Sequence, residues 1–210
     1  MQIRSQSVTR VSTLGGPQRT ALRRDFEPSV AVTDTVNWRG HALLIRPIAP
    51  VDEIRHQAFF ARLEANDLQS RFHSQLSCIS TADRQRMLSP ASATEVWLIA
   101  LLLDATGLLE IVATANAVST EDNIEAVCGI VVRSDLKHRG LGRLLLQRLV
   151  ACARRRGTQR MVCSVSRENA AMRGLVTKTG FLLDRSEPCD GTIHYVKQLV
   201  PSAPASNPHG

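Results

Sequence analysis

Hydrophobic residues fall in short blocks between residues 42 and 199, and the spacing within each block indicates its conformation. Ala42–Arg46 has the length of a short strand. Pro50-Val51-Asp52 then opens a helix with a loose apolar stripe at Ile54, Ala58, Ala61 and Leu63. Ser80 and Asp83 have the spacing of a capping box, which predicts a second short helix. Val96–Leu103 and Leu108–Val118 read as strands joined by the turn residues Asp104-Ala105-Thr106-Gly107. Ile124–Val132 is the next strand. The clearest helix follows: Leu141, Leu145, Leu149 and Cys152 share one face, Leu144 lies beside them, and Gly157 ends it. Arg160–Val165 reads as a strand, Glu168–Lys178 as a helix stopped by Gly180, and Phe181–Leu183 and Ile193–Leu199 as late strands. The order β-α-α-β-β-β-α-β-α-β-β implies an α+β fold, a mixed sheet flanked by helices. No internal repeat is visible.

The flanks differ. Residues 1–40 carry Ser, Thr, Arg and a Gly-Gly-Pro without sustained periodicity, and are read as a flexible basic extension. No acid precedes Asp25, so an organelle-targeting peptide is the alternative there. Residues 41–200 form the predicted domain, and 201–210, with Pro201, Pro204 and Pro208, a disordered tail. No apolar stretch reaches the ~18 residues that span a bilayer. There is no continuous apolar segment of the secretory type near the start, so a cytoplasmic, non-membrane protein is expected. The cysteines (Cys78, Cys128, Cys152, Cys163 and Cys189) are odd in number and never spaced C-x-x-C, and the histidines lack ligand spacing. Neither a disulfide framework nor a metal site is expected.

Charge adds one fact. The chain carries a net +7, yet the window Arg133–Arg160 alone holds nine Lys/Arg against Asp135, a net +8. The surplus is concentrated where strand 124–132 meets helix 141–156. There Gly140 and Gly142 permit a tight turn and leave no side chain in a ligand's way. The helix that starts at this point offers free N–H groups and the positive end of its dipole, which suits phosphate oxygens. Lys137, Arg139 and Arg143 add charge beside it. Other phosphate motifs fit worse. The P-loop pattern is absent, and a dinucleotide fingerprint would need a third glycine where Leu145 stands.

With Asn169, Met172, Leu175 and Gly180-Phe181 downstream, the pattern resembles the GNAT (Gcn5-related) N-acetyltransferase superfamily over about residues 42–199. Val131 to Gly142 resembles that family's acyl-CoA motif, Q/R-x-x-G-x-G/A, with Lys137 where Gln or Arg is usual. Ser166-Arg167-Glu168-Asn169 through Gly180-Phe181 resembles its next motif. Leu44-Ile45-Arg46-Pro47-Ile48 with Asp52, and Asp67-Leu68-Gln69-Ser70-Arg71-Phe72, resemble the acetyltransferase domain of bacterial Pat-type protein lysine acetyltransferases.

The resemblance implies acetyl-CoA as acyl donor and a primary amine as acceptor, a protein lysine first, with no metal. It implies that the backbone of Ile130, Val131 and Val132 pairs with the pantetheine arm like an added strand. The amides of His138, Arg139, Gly140, Leu141, Gly142 and Arg143, with Lys137 beside them, would hold the pyrophosphate, and Asn169 would touch the arm. A lysine of pKa ~10.4 is neutral in about one molecule per few thousand at pH 7, so a general base is useful. Pat-like enzymes carry a Glu where Val127 stands. Glu125, two residues earlier and on the same strand face, is the candidate base, and Glu95 the second. The usual acid, a Tyr, is replaced by Val176; the one tyrosine is Tyr195, and nothing adjacent in sequence activates Cys163 as a nucleophile. Three alternatives stay open: a small-molecule amine acetyltransferase, a non-catalytic acyl-CoA sensor, and nucleic-acid binding through the basic helix. The last has few aromatic residues to support it.

Overall fold

The computed structural model describes residues 33–64, 88, 94–185 and 191–200. The expected helix at Ser80–Asp83, the segment Asp67–Phe72 and the tail 201–210 lie outside these residues. The strands are β1 (Asp34–Trp38), β2 (His41–Pro47), β3 (Glu95–Leu103), β4 (Leu109–Ser119), β5 (Glu125–Val132), β6 (Arg160–Ser166), β7 (Leu182–Leu183) and β8 (Thr192–Gln198). The helices are α1 (Glu53–Ala61), entered through a 3-10 turn at Pro50–Asp52, α2 (Leu141–Arg155) and α3 (Ala170–Lys178). The strands form one sheet in the order β1-β2-β3-β4-β5-β6-β8-β7. Every neighbouring pair is antiparallel except β5–β6, which is parallel. The mixed α+β architecture expected from the alternating blocks is the one observed.

Helices cover both faces of the sheet. On one face α2 buries Leu141, Leu145, Leu146, Leu149 and Cys152 against alternate strand residues such as Leu98, Ala115, Cys128 and Met161. Leu145, Leu146 and Leu149 are wholly buried, and each removes about 1.5–3 kcal/mol worth of apolar surface from water. Arg154 and Arg155 occupy the last turn of α2, where cations favour the dipole. On the other face Phe59 and Leu63, from α1 and its end, pack on Ile99, Leu101, Ile111 and Val131.

Asp34–Trp38, within the residues 1–40 expected to be a flexible extension, instead form β1, in register from Asp34↔Ile45 to Trp38↔His41. The strand is held from outside its own sequence: Arg148 Nη2 on α2 meets Asp34 Oδ2 at 2.5 Å, and Trp38 is buried. The buried side of α1 also differs from the predicted stripe. Ile54 is 81% exposed, and Ala58 and Ala61 are exposed, while His56, Phe59 and Leu63 face inward. Rotation of this helix is set by wholly buried Asp52, which takes two hydrogen bonds from Arg46 of β2, at 2.6 and 2.7 Å, and one from Ala49 N–H at 3.0 Å. That clamp, with the larger apolar area of Phe59, outweighs a stripe of alanines.

Candidate active site

The β5–β6 pairing is the feature that creates a site. Parallel partners run Glu125↔Arg160, Ala126↔Met161 and Val127↔Val162, and pairing ends there. β5 continues to Val132 with its other edge fully paired to β4, from Ser119↔Ala126 to Ala113↔Val132. β6 continues to Ser166 paired to β8. The two strands therefore diverge beyond Val127 and Val162. Among the described residues no strand pairs with the β5 edge from Gly129 to Val132, about 10 Å at ~3.3 Å per residue. An extended polar chain could satisfy it as an added strand does.

The open edge leads to the loop before α2. A 3-10 turn at Ser134–Leu136 buries Leu136 as an anchor. Lys137 is extended, whereas His138 and Gly140 have positive φ, +59° and +85°. Gly140 is the residue before the helix, and its left-handed backbone is one that a Cβ disfavours by roughly 1–2 kcal/mol. The first helical bond runs from Leu144 N–H to the Gly140 carbonyl at 3.1 Å. The N–H groups of Leu141, Gly142 and Arg143 thus lie outside the helical ladder, and the first turn holds no acid. Leu141 turns its side chain into the core, so its contribution is its backbone, while His138, Arg139 and Arg143 are exposed.

Gly142 is where α2 comes closest to its neighbours. A Cβ there would lie 3.3 Å from Leu175 Cδ2 of α3, 3.5 Å from Val132 Cγ2 and 3.8 Å from Ile130 Cδ1. The absent side chain therefore faces the space between β5 and α3, beside the open edge. Arg133 does not join this cluster of cations: it binds Asp135 at 2.7 Å and Glu110 at 2.5 Å, and Glu110 also holds Arg62. Burial opposes its charge, but these two carboxylates raise its pKa above the ordinary value. The loop is braced on its far side by Trp38, whose Nε1 donates to the Arg139 carbonyl at 3.2 Å.

The remaining expected residues are placed as follows. Asn169 caps α3, its Oδ1 accepting from Met172 N–H at 2.9 Å. Glu125 lies at the paired start of β5, with Oε2 on Arg160 Nε at 2.7 Å. Glu125, Val127 and Gly129 alternate along the α1 face, opposite Val118 and Asn116 of β4, which in turn face Glu95 and Trp97 of β3. Glu95 accepts from Trp97 Nε1 at 2.9 Å. Val118 and Val127 are 39% and 49% exposed, so this end of the face is open and shallow among the described residues. Val176 is buried in the core on the opposite face, as are Cys163 and Tyr195. No group of three or more metal-ligating side chains occurs among the described residues, and no helix there is long and apolar enough to cross a membrane.

Two features escaped sequence reasoning. One is Trp38, hidden in a strand of five residues after a stretch without periodicity. The other is a hydrogen bond of 3.0 Å between Ser164 Oγ and His194 Nδ1, on β6 and β8. Its partners are thirty residues apart in the chain, and no local spacing signals them.

Residues 63–181, more than half of the chain, match the model of the acetyltransferase (GNAT) family. Acetyltransferase PA5475 of Pseudomonas aeruginosa is 28% identical over 153 residues, 73% of this chain and 81% of that protein. The GNAT domain of S. lividans PAT superposes with a TM-score of 0.71 at 23% identity, over 83% of this chain and 99% of that one. YncA of Salmonella typhimurium, a putative acetyltransferase solved with its cofactor acetyl-CoA, gives 0.60 at 19% identity, over 77% and 96%. A diverging strand pair that opens onto a glycine-rich helix start, in a chain whose sequence matches the family model across that region, leaves one conclusion: the protein belongs to the GNAT acetyltransferase family and is an acyltransferase.

Proposed function

We propose that the protein moves the acetyl group of acetyl-CoA to a primary amine, a protein lysine side chain. The observation that carries the first half is the continuity of the open β5 edge with the unladdered N–H groups of α2. Ile130, Val131 and Val132 would bind the pantetheine arm, and residues 137–143 the pyrophosphate. Arg139 and Arg143 are the exposed cations beside it. Asn169 spends Oδ1 on capping, so its amide nitrogen is the donor left for the arm. The thioester supplies an activated acyl carbon. Support for a protein acceptor is the shallow, partly apolar face with Glu95 and Glu125 at its margins, together with the Pat-like segments of the sequence. Such a face admits an aliphatic side chain and draws its ammonium group towards carboxylates. Cytoplasmic residence belongs to the same proposal.

In this proposal Glu125 removes the amine's proton through water. Glu125→Gln is expected to lower kcat for a lysine peptide by about 10²-fold while the Kd for acetyl-CoA stays the same, measured by steady-state kinetics and calorimetry. Wild-type turnover in Glu125→Gln would remove it from the mechanism. Mass spectrometry of candidate proteins incubated with acetyl-CoA, with and without the enzyme, tests the acceptor class. New acetyl-lysines are expected; acetylation confined to small amines would contradict the reading.

Trp38 offers a separate check on the loop. Trp38→Phe keeps the buried ring and removes the bond to the Arg139 carbonyl. A loss of about 0.5–1.5 kcal/mol in urea unfolding is expected, with several-fold weaker acetyl-CoA binding by calorimetry.

A further inference from the structure

We infer that Ser164, backed by His194, protonates the sulfur of the departing coenzyme A. The inference rests on the binding mode proposed above, with the arm along the open β5 edge. On that reading the arm runs from the α2 loop down towards the point where β5 and β6 rejoin, at Val127↔Val162. Its reactive end is then flanked by Cys128 and Gly129 on one strand and Cys163 and Ser164 on the other. Cys163 turns into the core, 1% exposed. Ser164 is two residues past Val162, so it shares the open α1 face with Val127 and Gly129. It is the first polar side chain on β6 beyond the point of divergence.

The partner residue gives this hydroxyl a proton supply. Ser164 and His194 are directly paired across β6 and β8, and their side chains are hydrogen-bonded at 3.0 Å. From the β7 side the neighbour of His194 is Asp184, whose backbone N–H donates to the His194 carbonyl at 2.9 Å. On the shared face, beyond Val162 and Val196, the next pair is Arg160 and Gln198, with Arg160 bound to Glu125. Helices α2 and α3 pack on the opposite face, so they present no charge to the imidazole.

The step balances simply. The amine nitrogen forms a bond to the acyl carbon and gives up one proton to Glu125 through water or, for hydroxylamine, to solvent; the carbon–sulfur bond breaks, and its electron pair leaves on sulfur. The Ser164 hydroxyl proton passes to sulfur while His194 Nδ1 returns a proton to Oγ, and the ring regains that proton from solvent. Ser164 is therefore the catalytic residue and His194 the residue that orients and recharges it. This fills the place left by Val176, which is wholly buried.

The test uses the full chain with acetyl-CoA and hydroxylamine, a small nucleophile that is unprotonated near neutral pH and needs no base. Ser164→Ala and His194→Gln are expected to lower kcat by about 10²-fold. Ser164→Thr, which keeps a hydroxyl at this position, should retain most activity, so a merely misfolded alanine variant would not imitate the result. Acetyl-CoA affinity should be the same in all three variants, and coenzyme A should shift the His194 ring signals in NMR where its desulfo analogue does not. Wild-type kcat in Ser164→Ala, or His194 signals indifferent to the thiol, would overturn the inference. A wild type that binds no acetyl-CoA would instead overturn the binding mode beneath it.

Discussion

Gly142→Asp is expected to leave the melting temperature unchanged or slightly raised, and to weaken acetyl-CoA binding at least about 100-fold. The two effects separate because they have different causes. In the first turn of α2 a carboxylate meets the positive end of the dipole, worth about 0.3–1 kcal/mol to the fold. Replacing glycine within a helix adds a similar benefit. The nearest obstruction to the new Cβ is a terminal methyl of Leu175 at 3.3 Å, which can shift by a few tenths of an ångström. For the ligand the change is adverse. A negative charge now stands among the N–H groups that would receive a diphosphate, and like-charge contact costs several kcal/mol, each 1.4 kcal/mol being tenfold. Its side chain also starts towards the space between β5 and α3. Calorimetry with acetyl-CoA and a thermal melt read the two effects side by side. Wild-type affinity in this variant would mean that the start of α2 is not where the phosphates bind.

Asp52→Ala is expected to cost about 3 kcal/mol in urea unfolding, because it strands the half-buried Arg46 against a face shaped for an ion pair. The clamp should also set part of the acid sensitivity. Burial alone would raise the pKa of Asp52, but hydrogen bonds from Arg46 and Ala49 N–H, with the charges of Arg46 and Arg55, hold it below the ordinary 3.8. A carboxyl with a lower pKa folded than unfolded contributes fully above the unfolded value, and loses its contribution as pH falls through the folded one. The wild type should therefore shed this stability below about pH 4, within the ordinary carboxylate range. Asp52→Ala should show a flatter acid limb in unfolding free energy measured from pH 7 to pH 2. An equally steep limb in the variant would place the acid sensitivity elsewhere. The same clamp sets how α1 lies on the face proposed to receive the amine, so a change in KM for the amine is expected with the loss of stability.

The parts of the molecule legible in the sequence are those fixed by local spacing. The α2 stripe at Leu141, Leu145, Leu149 and Cys152 repeats every three to four residues, and all four are buried. The strands at 96–103, 108–118 and 124–132 shift by at most one residue at either end. The glycine-rich turn was visible because Gly140 and Gly142 sit between a strand and a helix, and Gly140 has the left-handed backbone that its residue type permits. What stayed hidden depends on distant partners. β1 is specified by Arg148 and by the sheet beside it, not by its own five residues. The exposed side of α1 carries Ile54 because the Arg46–Asp52 pair sets the helix rotation. Glu125 could be placed on a strand face by counting residues, but its ion pair with Arg160 comes from a parallel register thirty-five residues along the chain. Ser164 and His194 meet for the same kind of reason.

In the proposed binding mode acetyl-CoA lies along the open β5 edge and ends on the amides that start α2. Hydrogen–deuterium exchange of the backbone, with and without saturating acetyl-CoA, measures this most directly. Slowed exchange is expected at the gap-facing amides among Gly129–Val132 and at Leu141, Gly142 and Arg143. The β4-paired amides of β5, already bonded to their neighbour, should change little. Binding of acetyl-CoA with those gap-facing and helix-start amides exchanging at their unliganded rates would contradict it.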